Sequence, residues 1–118
     1  METLRQDGTL TVTGLRELNV ANARMFRSAV AAVLSPDLQR IEIDLSQTRV
    51  VDGCGLGAIL SLYQTANEHR REGAVTIRLL NPGSSVRQMI VLTRMHQLFE
   101  IVFSHGAPDN APSVPKLS

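Results

Sequence analysis

Three short segments alternate apolar and polar residues with the period of a β-strand, and this feature constrains the fold more than any other. The segments are TLTVTG (9–14), IEIDL (41–45) and VTIRLL (75–80). Strands that are buried on both faces have continuous apolar runs, whereas here threonine or a charged residue occupies every second position. The alternation therefore predicts an α/β fold in which helices pack mainly on one face of the sheet.

Helical patterns lie between and after these strands. Asn19 is the predicted N-cap of the first helix. The apolar stripe of that helix consists of Ala23, Phe26, Val30, Val33 and Leu34. A second helix is predicted from about Gly55 to Arg71. Ser85, followed three residues later by Gln88, predicts a capping box at the start of a third helix.

Two further segments complete the predicted fold. Asp7 and Gly8 form a tight-turn dipeptide, which predicts a hairpin between residues 2–6 and the first alternating strand. The segment MHQLFEIVF (95–103) predicts a helical turn and a short final strand. The whole chain fits one domain, predicted over residues 1–105, and a flexible Pro-rich tail is predicted over residues 106–118.

Composition excludes several classes of function. A net charge of +1 gives no reason to expect nucleic acid or an anionic membrane as a partner, and three Phe, one Tyr and no Trp leave little material for base stacking. No stretch reaches the length of a membrane span or has the apolar core of a signal peptide. A single cysteine, Cys54, excludes an intramolecular disulfide and suits a reducing compartment. We therefore expect a cytoplasmic protein.

The stretch VVDGCGLGAIL (50–60) is the most informative motif, because its glycines fit several functions. Gly53, Gly55 and Ala58 match the G-x-G-x-x-A spacing of a dinucleotide-binding turn. However, the next strand does not end in a carboxylate that could hold a ribose, and Asp52 would repel a pyrophosphate at the helix N-terminus. We therefore expect no nucleotide cofactor.

Enzymatic chemistry has little support in the sequence. His69, His96 and His105 lack metal-ligand spacing and an obvious carboxylate partner, so we expect no metal site and no catalytic residues. A thiol at a helix N-terminus can be activated, but Asp52 beside Cys54 would disfavour the thiolate. The favoured interpretation is that Cys54 is a small buried packing residue, and a redox-active Cys54 is the alternative.

The run IEIDLSQTRVVDGCGLGAIL (41–60) resembles the signature of STAS domains, the fold of bacterial anti-sigma factor antagonists. In that family a strand ending in Asp-Leu-Ser is followed by Asp-Ser-Ser/Thr-Gly-Leu-Gly, which opens a helix. The similarity continues through NPGSSVRQMIVLTRMHQLFEI (81–101) and includes TVTGLRELNVANA (11–23). The resemblance implies a small mixed β-sheet with helices packed mainly on one face, in agreement with the alternation described above.

The resemblance also implies a function. Such domains are non-enzymatic modules that bind an anti-sigma factor, a serine kinase, through the loop and helix start that the glycines shape. The positions of this chain that correspond to that binding surface are Asn19, Asp52, Gly53, Cys54, Gly55, Leu56 and Gly57. STAS subunits of lipid-transport ABC systems or other transporters are the alternative. The resemblance leaves the oligomeric state open.

This chain departs from the family pattern at positions that matter for regulation. The kinase phosphorylates the serine that directly follows the motif's Asp, and here that position is Gly53, which has no hydroxyl. The usual phosphoserine switch is therefore predicted to be absent, unless it has moved to Ser46, Thr48, Ser84 or Ser85. Arg94 also stands where family members often have a glycine at the end of the third helix.

Overall fold

The computed structural model describes residues 1–69 and 73–103. The strands are β1 (Glu2–Gln6), β2 (Thr9–Thr13), β3 (Glu17–Leu18), β4 (Arg40–Asp44), β5 (Val50–Val51), β6 (Thr76–Leu80) and β7 (Glu100–Val102). The helices are α1 (Ala23–Ala31), α2 (Gly53–His69) and α3 (Ser84–Leu92), with a single 3₁₀ turn at Met95–Gln97. The predicted end of the second helix at Arg71 lies outside the described residues, as do the predicted domain limit at residue 105 and the tail 106–118.

The main sheet is mixed and has the strand order β1-β2-β4-β6-β7. Strands β1 and β2 form an antiparallel hairpin, and each of the other neighbouring pairs is parallel. The predicted hairpin is therefore confirmed, and Asp7 turns the chain with a positive φ of 57°. Strands β3 and β5 form a separate two-stranded parallel sheet. This small sheet, which periodicity did not predict, leads into the start of α2.

The two faces of the main sheet differ as the alternation predicts. One face belongs to the core, and its residues are at most 1% exposed: Leu10, Val12, Ile41, Ile43, Ile77 and Leu79. The opposite face carries Thr11, Glu42 and Arg78, which are all only partly buried. Arg78 lies 3.6 Å from the Glu42 carboxylate and 2.7 Å from that of Glu100, so the open face is tied together by ion pairs. The prediction of helices mainly on one face is confirmed.

The first helix begins later than predicted. Asn22, rather than Asn19, is the N-cap residue of α1, and it makes no side-chain capping hydrogen bond. Instead, the Asn19 carbonyl accepts hydrogen bonds from the N–H groups of Asn22 (3.1 Å) and Ala23 (2.8 Å) and closes one turn before the helix. The predicted cap at Asn19 is wrong because Asn19 begins a separate turn, in which its Oδ1 accepts a hydrogen bond from the Ala21 N–H at 3.0 Å.

The third helix is also not capped as predicted. Gly83 is its N-cap residue in an extended conformation (φ −69°, ψ 172°), and no side-chain capping bond forms. Ser85 therefore lies inside α3 rather than before it, so the predicted capping box with Gln88 is wrong. The core-facing side of α3 includes Val86 and Ile90, which are buried. No helix within residues 1–69 and 73–103 is long and apolar enough to cross a membrane.

Candidate functional site

Asp52 lies between β5 and α2 and organises the start of the helix. Its Oδ1 accepts a hydrogen bond from the Gly55 N–H (2.9 Å), and its carbonyl accepts one from the Leu56 N–H (3.0 Å). This is the geometry of a helix N-cap, and a carboxylate there also complements the positive end of the helix dipole. Because Asp52 supplies the cap, α2 begins at Gly53, two residues before the predicted start.

The second oxygen of the same carboxylate holds a neighbouring loop. Asp52 Oδ2 accepts a hydrogen bond from the Val20 N–H at 3.1 Å. Asn22 braces this loop from within, because its Oδ1 accepts from the Asn19 N–H (2.8 Å) and its Nδ2 donates to the Glu17 carbonyl (2.7 Å). The loop that precedes α1 is thus fixed against the start of α2, and one carboxylate joins them.

The three glycines of the motif have different surroundings. A Cβ at Gly55 would lie 2.1 Å from the Leu18 carbonyl oxygen, so only glycine allows α2 to approach β3 this closely. A Cβ at Gly53 or Gly57 would meet nothing within 4 Å, and both residues are exposed. Neither of them has a positive φ. Gly55 therefore serves internal packing, whereas Gly53 and Gly57 keep an outer surface free of side chains.

The residues predicted to bind a partner fall into three groups, which are buried, partly buried and exposed. Leu56 is 2% exposed and belongs to the hydrophobic core, and Gly55 is buried too. These two residues support the site from inside and do not present a surface to a partner, which corrects the prediction. Asn19 and Asp52 are partly buried, and their hydrogen bonds hold the loop and the helix start.

Cys54 is exposed, so its interpretation as a buried packing residue is wrong. It lies beside Gly53 on the first turn of α2. Val20, which is not among the residues predicted to bind a partner, is 72% exposed in the loop that Asp52 holds. A signal for Val20 exists in the sequence, because this apolar residue follows the predicted N-cap Asn19 and lies outside the predicted apolar stripe of the first helix. We use the name docking surface for the exposed residues at this place: Val20, Gly53, Cys54 and Gly57.

The hydroxyl groups predicted as alternative phosphorylation sites also differ in their accessibility to a kinase. Thr48 is 4% exposed, and its Oγ1 donates a hydrogen bond of 2.6 Å to the Leu15 carbonyl, so a kinase cannot reach it in the folded chain. Ser46, Ser84 and Ser85 are exposed. Among residues 1–69 and 73–103, no group of three or more His, Cys, Asp and Glu side chains could hold a metal ion.

Solved structures with a similar fold include two anti-sigma factor antagonists. The protein from Mycobacterium paratuberculosis shares 22% sequence identity with a TM-score of 0.71, and the alignment covers 93% of this chain and 87% of that one. SpoIIAA in its unphosphorylated form shares 14% identity with a TM-score of 0.67 over 93% of this chain and 90% of the other. Both likenesses concern the fold.

A third similar structure is that of a membrane protein. Murine Slc26a9, an anion transporter solved in its inward-facing state, shares 25% identity with a TM-score of 0.65. The alignment covers 80% of this chain and only 15% of the transporter, so the likeness is to a small part of that protein. Among curated proteins, no sequence matches this chain.

The family model of the STAS domain matches residues 1–107 of the chain. This match includes every strand and helix described above, together with the Asp52 motif and the docking surface. The chain belongs to the STAS domain family.

Proposed function

We propose that this chain is a non-enzymatic regulatory module that binds an anti-sigma factor of the serine kinase type through the docking surface. The observation that carries the proposal is the position of Gly53. It directly follows the motif's Asp52, it is exposed, and nothing lies within 4 Å of the place where its side chain would begin. Two similar structures are described as anti-sigma factor antagonists, which supports this class of partner. A partner of that class places the chain in the cytoplasm.

The shape of the docking surface suits a close protein contact. Gly53 and Gly57 lie four residues apart on one face of α2, so a partner backbone can approach the helix without meeting side chains. Val20, at 72% exposure, supplies apolar area beside this smooth helix start. Asp52 fixes both parts in place, and the surface is therefore organised before a partner arrives, which lowers the entropic cost of binding.

The proposal includes the absence of the usual switch. A phosphoserine directly after Asp52 would place nearly two negative charges beside an existing carboxylate in a close contact. Gly53 cannot accept a phosphate, so binding here is constitutive with respect to this position. Cys54 is exposed on the same surface. A redox-sensitive role for Cys54 remains a prediction.

A transporter-associated role is the second candidate. It is supported by the likeness to part of murine Slc26a9. The two candidates differ in the protein that meets the docking surface, a kinase in the first and a transporter subunit in the second.

The test is calorimetric titration of the full chain with a purified anti-sigma factor kinase from the same organism. Gly53→Glu should weaken binding by about 2 kcal/mol or more, which is roughly 30-fold, because a buried unpaired charge is costly in an interface. Gly53→Gln has nearly the same size without the charge and should weaken binding less. Gln64→Glu adds the same charge to an exposed position of α2 about 16 Å further along the helix axis, and it should bind like the wild type.

The same set of proteins can contradict the proposal. If Gly53→Glu is folded by circular dichroism and binds the kinase as tightly as the wild type does, the partner docks elsewhere. A different outcome would favour the second candidate: neither the wild type nor any variant binds the kinase, whereas the wild type binds a transporter subunit and Gly53→Glu abolishes that binding. The transporter-associated role would then replace the first candidate. Gly53→Ser should restore an acceptor, so the kinase should phosphorylate this variant at residue 53 and leave residue 53 of the wild type unmodified.

A further inference from the structure

A cleft of about 410 Å³ lies beside the small sheet that leads into α2. It is lined by Arg16, Glu17, Gln47, Arg49 and Val50, and we call it the arginine cleft. Its side chains come from the first residues of β3 and β5 and from the two connections that precede these strands. All five residues are exposed.

The two connections are fastened to each other, so the arginines project from a fixed base. The Arg49 N–H donates a hydrogen bond of 2.9 Å to the Arg16 carbonyl. The neighbouring residues are buried and joined as well, since Thr48 Oγ1 donates to the Leu15 carbonyl at 2.6 Å. The backbones of Arg16 and Arg49 are thus held side by side by two consecutive contacts.

Within residues 1–69 and 73–103, the arginine cleft keeps a net positive charge. In the part of the chain that the structure describes, neither Arg16 nor Arg49 forms an ion pair, whereas Arg5 and Arg78 do. Glu17 also lines the cleft, where its Oε1 accepts a hydrogen bond from Asn19 Nδ2 at 3.1 Å. Two arginines and one glutamate leave the lining with a formal charge of +1. The planar guanidinium group of each arginine can bind a carboxylate in bidentate geometry.

We propose that the arginine cleft binds an acidic segment of a protein partner, next to the docking surface. This inference rests on the proposed function for the identity of the interface, and it adds a second contact zone with its own chemistry. Val50 lies at the cleft and is 51% exposed, and β5 leads from it to Gly53 over a distance on the order of 10 Å. A protein interface of ordinary size, about 800 Å² on each partner, covers both places.

A protein segment suits the cleft better than nucleic acid does. None of the five lining residues is aromatic, so the cleft offers no surface for base stacking. The chain as a whole carries a net charge of only +1. Val50 supplies apolar area that acidic segments with interspersed apolar side chains can use.

The test uses acetylated hexaglutamate as the probe, titrated into the ¹⁵N-labelled full chain and followed by amide chemical shifts. The amides of Arg16, Arg49 and Val50 should shift. The double variant Arg16→Gln with Arg49→Gln should bind the peptide at least about tenfold more weakly, because both guanidinium groups are lost. The matched control is Arg24→Gln with Arg27→Gln, which removes the same charge from two exposed arginines of α1 and should bind like the wild type.

Three results would overturn the inference. The first is an equal loss of binding in both double variants, which would mean that only net charge matters. The second is that inorganic phosphate shifts the same amides at lower concentration than hexaglutamate does. The third is that a short DNA duplex binds the cleft more tightly than the peptide does.

The Gly53→Glu variant separates this inference from the proposed function. Its added charge lies roughly 10 Å from the cleft in water, so hexaglutamate binding should weaken by only about twofold. If Gly53→Glu binds the kinase normally while hexaglutamate binding still requires both arginines, the proposed docking surface is wrong and the arginine cleft stands. If Gly53→Glu loses the kinase while the cleft variants bind hexaglutamate normally, the arginine cleft is wrong and the docking surface stands.

Discussion

Gly55→Ala should destabilise the fold, although replacing glycine by alanine usually stabilises a helix. The added Cβ would lie 2.1 Å from the Leu18 carbonyl oxygen and 2.7 Å from the Leu18 carbonyl carbon. The obstacle is backbone, and the same oxygen accepts a hydrogen bond from the Asp52 N–H at 3.2 Å. The start of α2 or strand β3 must therefore move by roughly 1 Å in an interior that is close-packed.

The magnitude follows from two opposing effects. Overpacking that moves backbone costs about 3 kcal/mol, at the upper end of the usual range. Alanine gains about 1 kcal/mol over glycine in a helix interior. Gly55→Ala should therefore lower the free energy of unfolding by about 2 kcal/mol. Gly57→Ala is the matched control, because a Cβ there meets nothing within 4 Å, so this variant should be more stable than the wild type by up to about 1 kcal/mol.

Urea unfolding followed by circular dichroism measures both variants. The difference between them should be about 3 kcal/mol, which corresponds to roughly 12 °C in Tm for a domain of this size. If Gly55→Ala proves as stable as Gly57→Ala, the close approach of α2 to β3 does not exist, and the assignment of Gly55 to internal packing falls with it.

Two further predictions concern the helix ends. Asp52→Ala should lower the free energy of unfolding by about 1–2 kcal/mol in urea unfolding, because the α2 cap and the contact to the Val20 N–H are both lost. Asp52→Asn keeps a hydrogen-bond acceptor and should therefore lose less stability. Equal losses of stability in the two variants would contradict this prediction. Arg94 follows α3 with a left-handed φ of 61°, a conformation that is strained for residues other than glycine. Arg94→Gly should therefore raise the free energy of unfolding by about 0.5–1 kcal/mol, whereas Arg94→Ala should not. A Tm for Arg94→Gly at or below that of Arg94→Ala would refute the backbone strain at this position.

The sequence by itself determined the sheet and its two faces. Alternation places Ile41 and Ile43 inside and Glu42 outside whatever the neighbouring strands are, because side chains of a strand point to opposite faces with a period of two. The Asp7-Gly8 hairpin is equally local, since a tight turn requires φ values that few residues adopt. The motif around Asp52 indicated the family for a similar reason, as its residues are adjacent in the chain.

Only the tertiary structure decided what each motif residue does. Gly53, Gly55 and Gly57 look alike in the sequence. Helical periodicity only places Gly55 on the opposite side of α2 from the other two glycines and does not say what it contacts. That Gly55 meets the Leu18 carbonyl depends on β3, which is far away in the sequence. The position of Asn22, rather than Asn19, before α1 likewise accompanies contacts outside the helix. Asn22 Nδ2 donates a hydrogen bond to the Glu17 carbonyl, and the Val20 N–H donates one to Asp52. Local patterns fix which faces are apolar, whereas contacts between distant segments determine which of several suitable residues is buried, capped or left exposed to a partner.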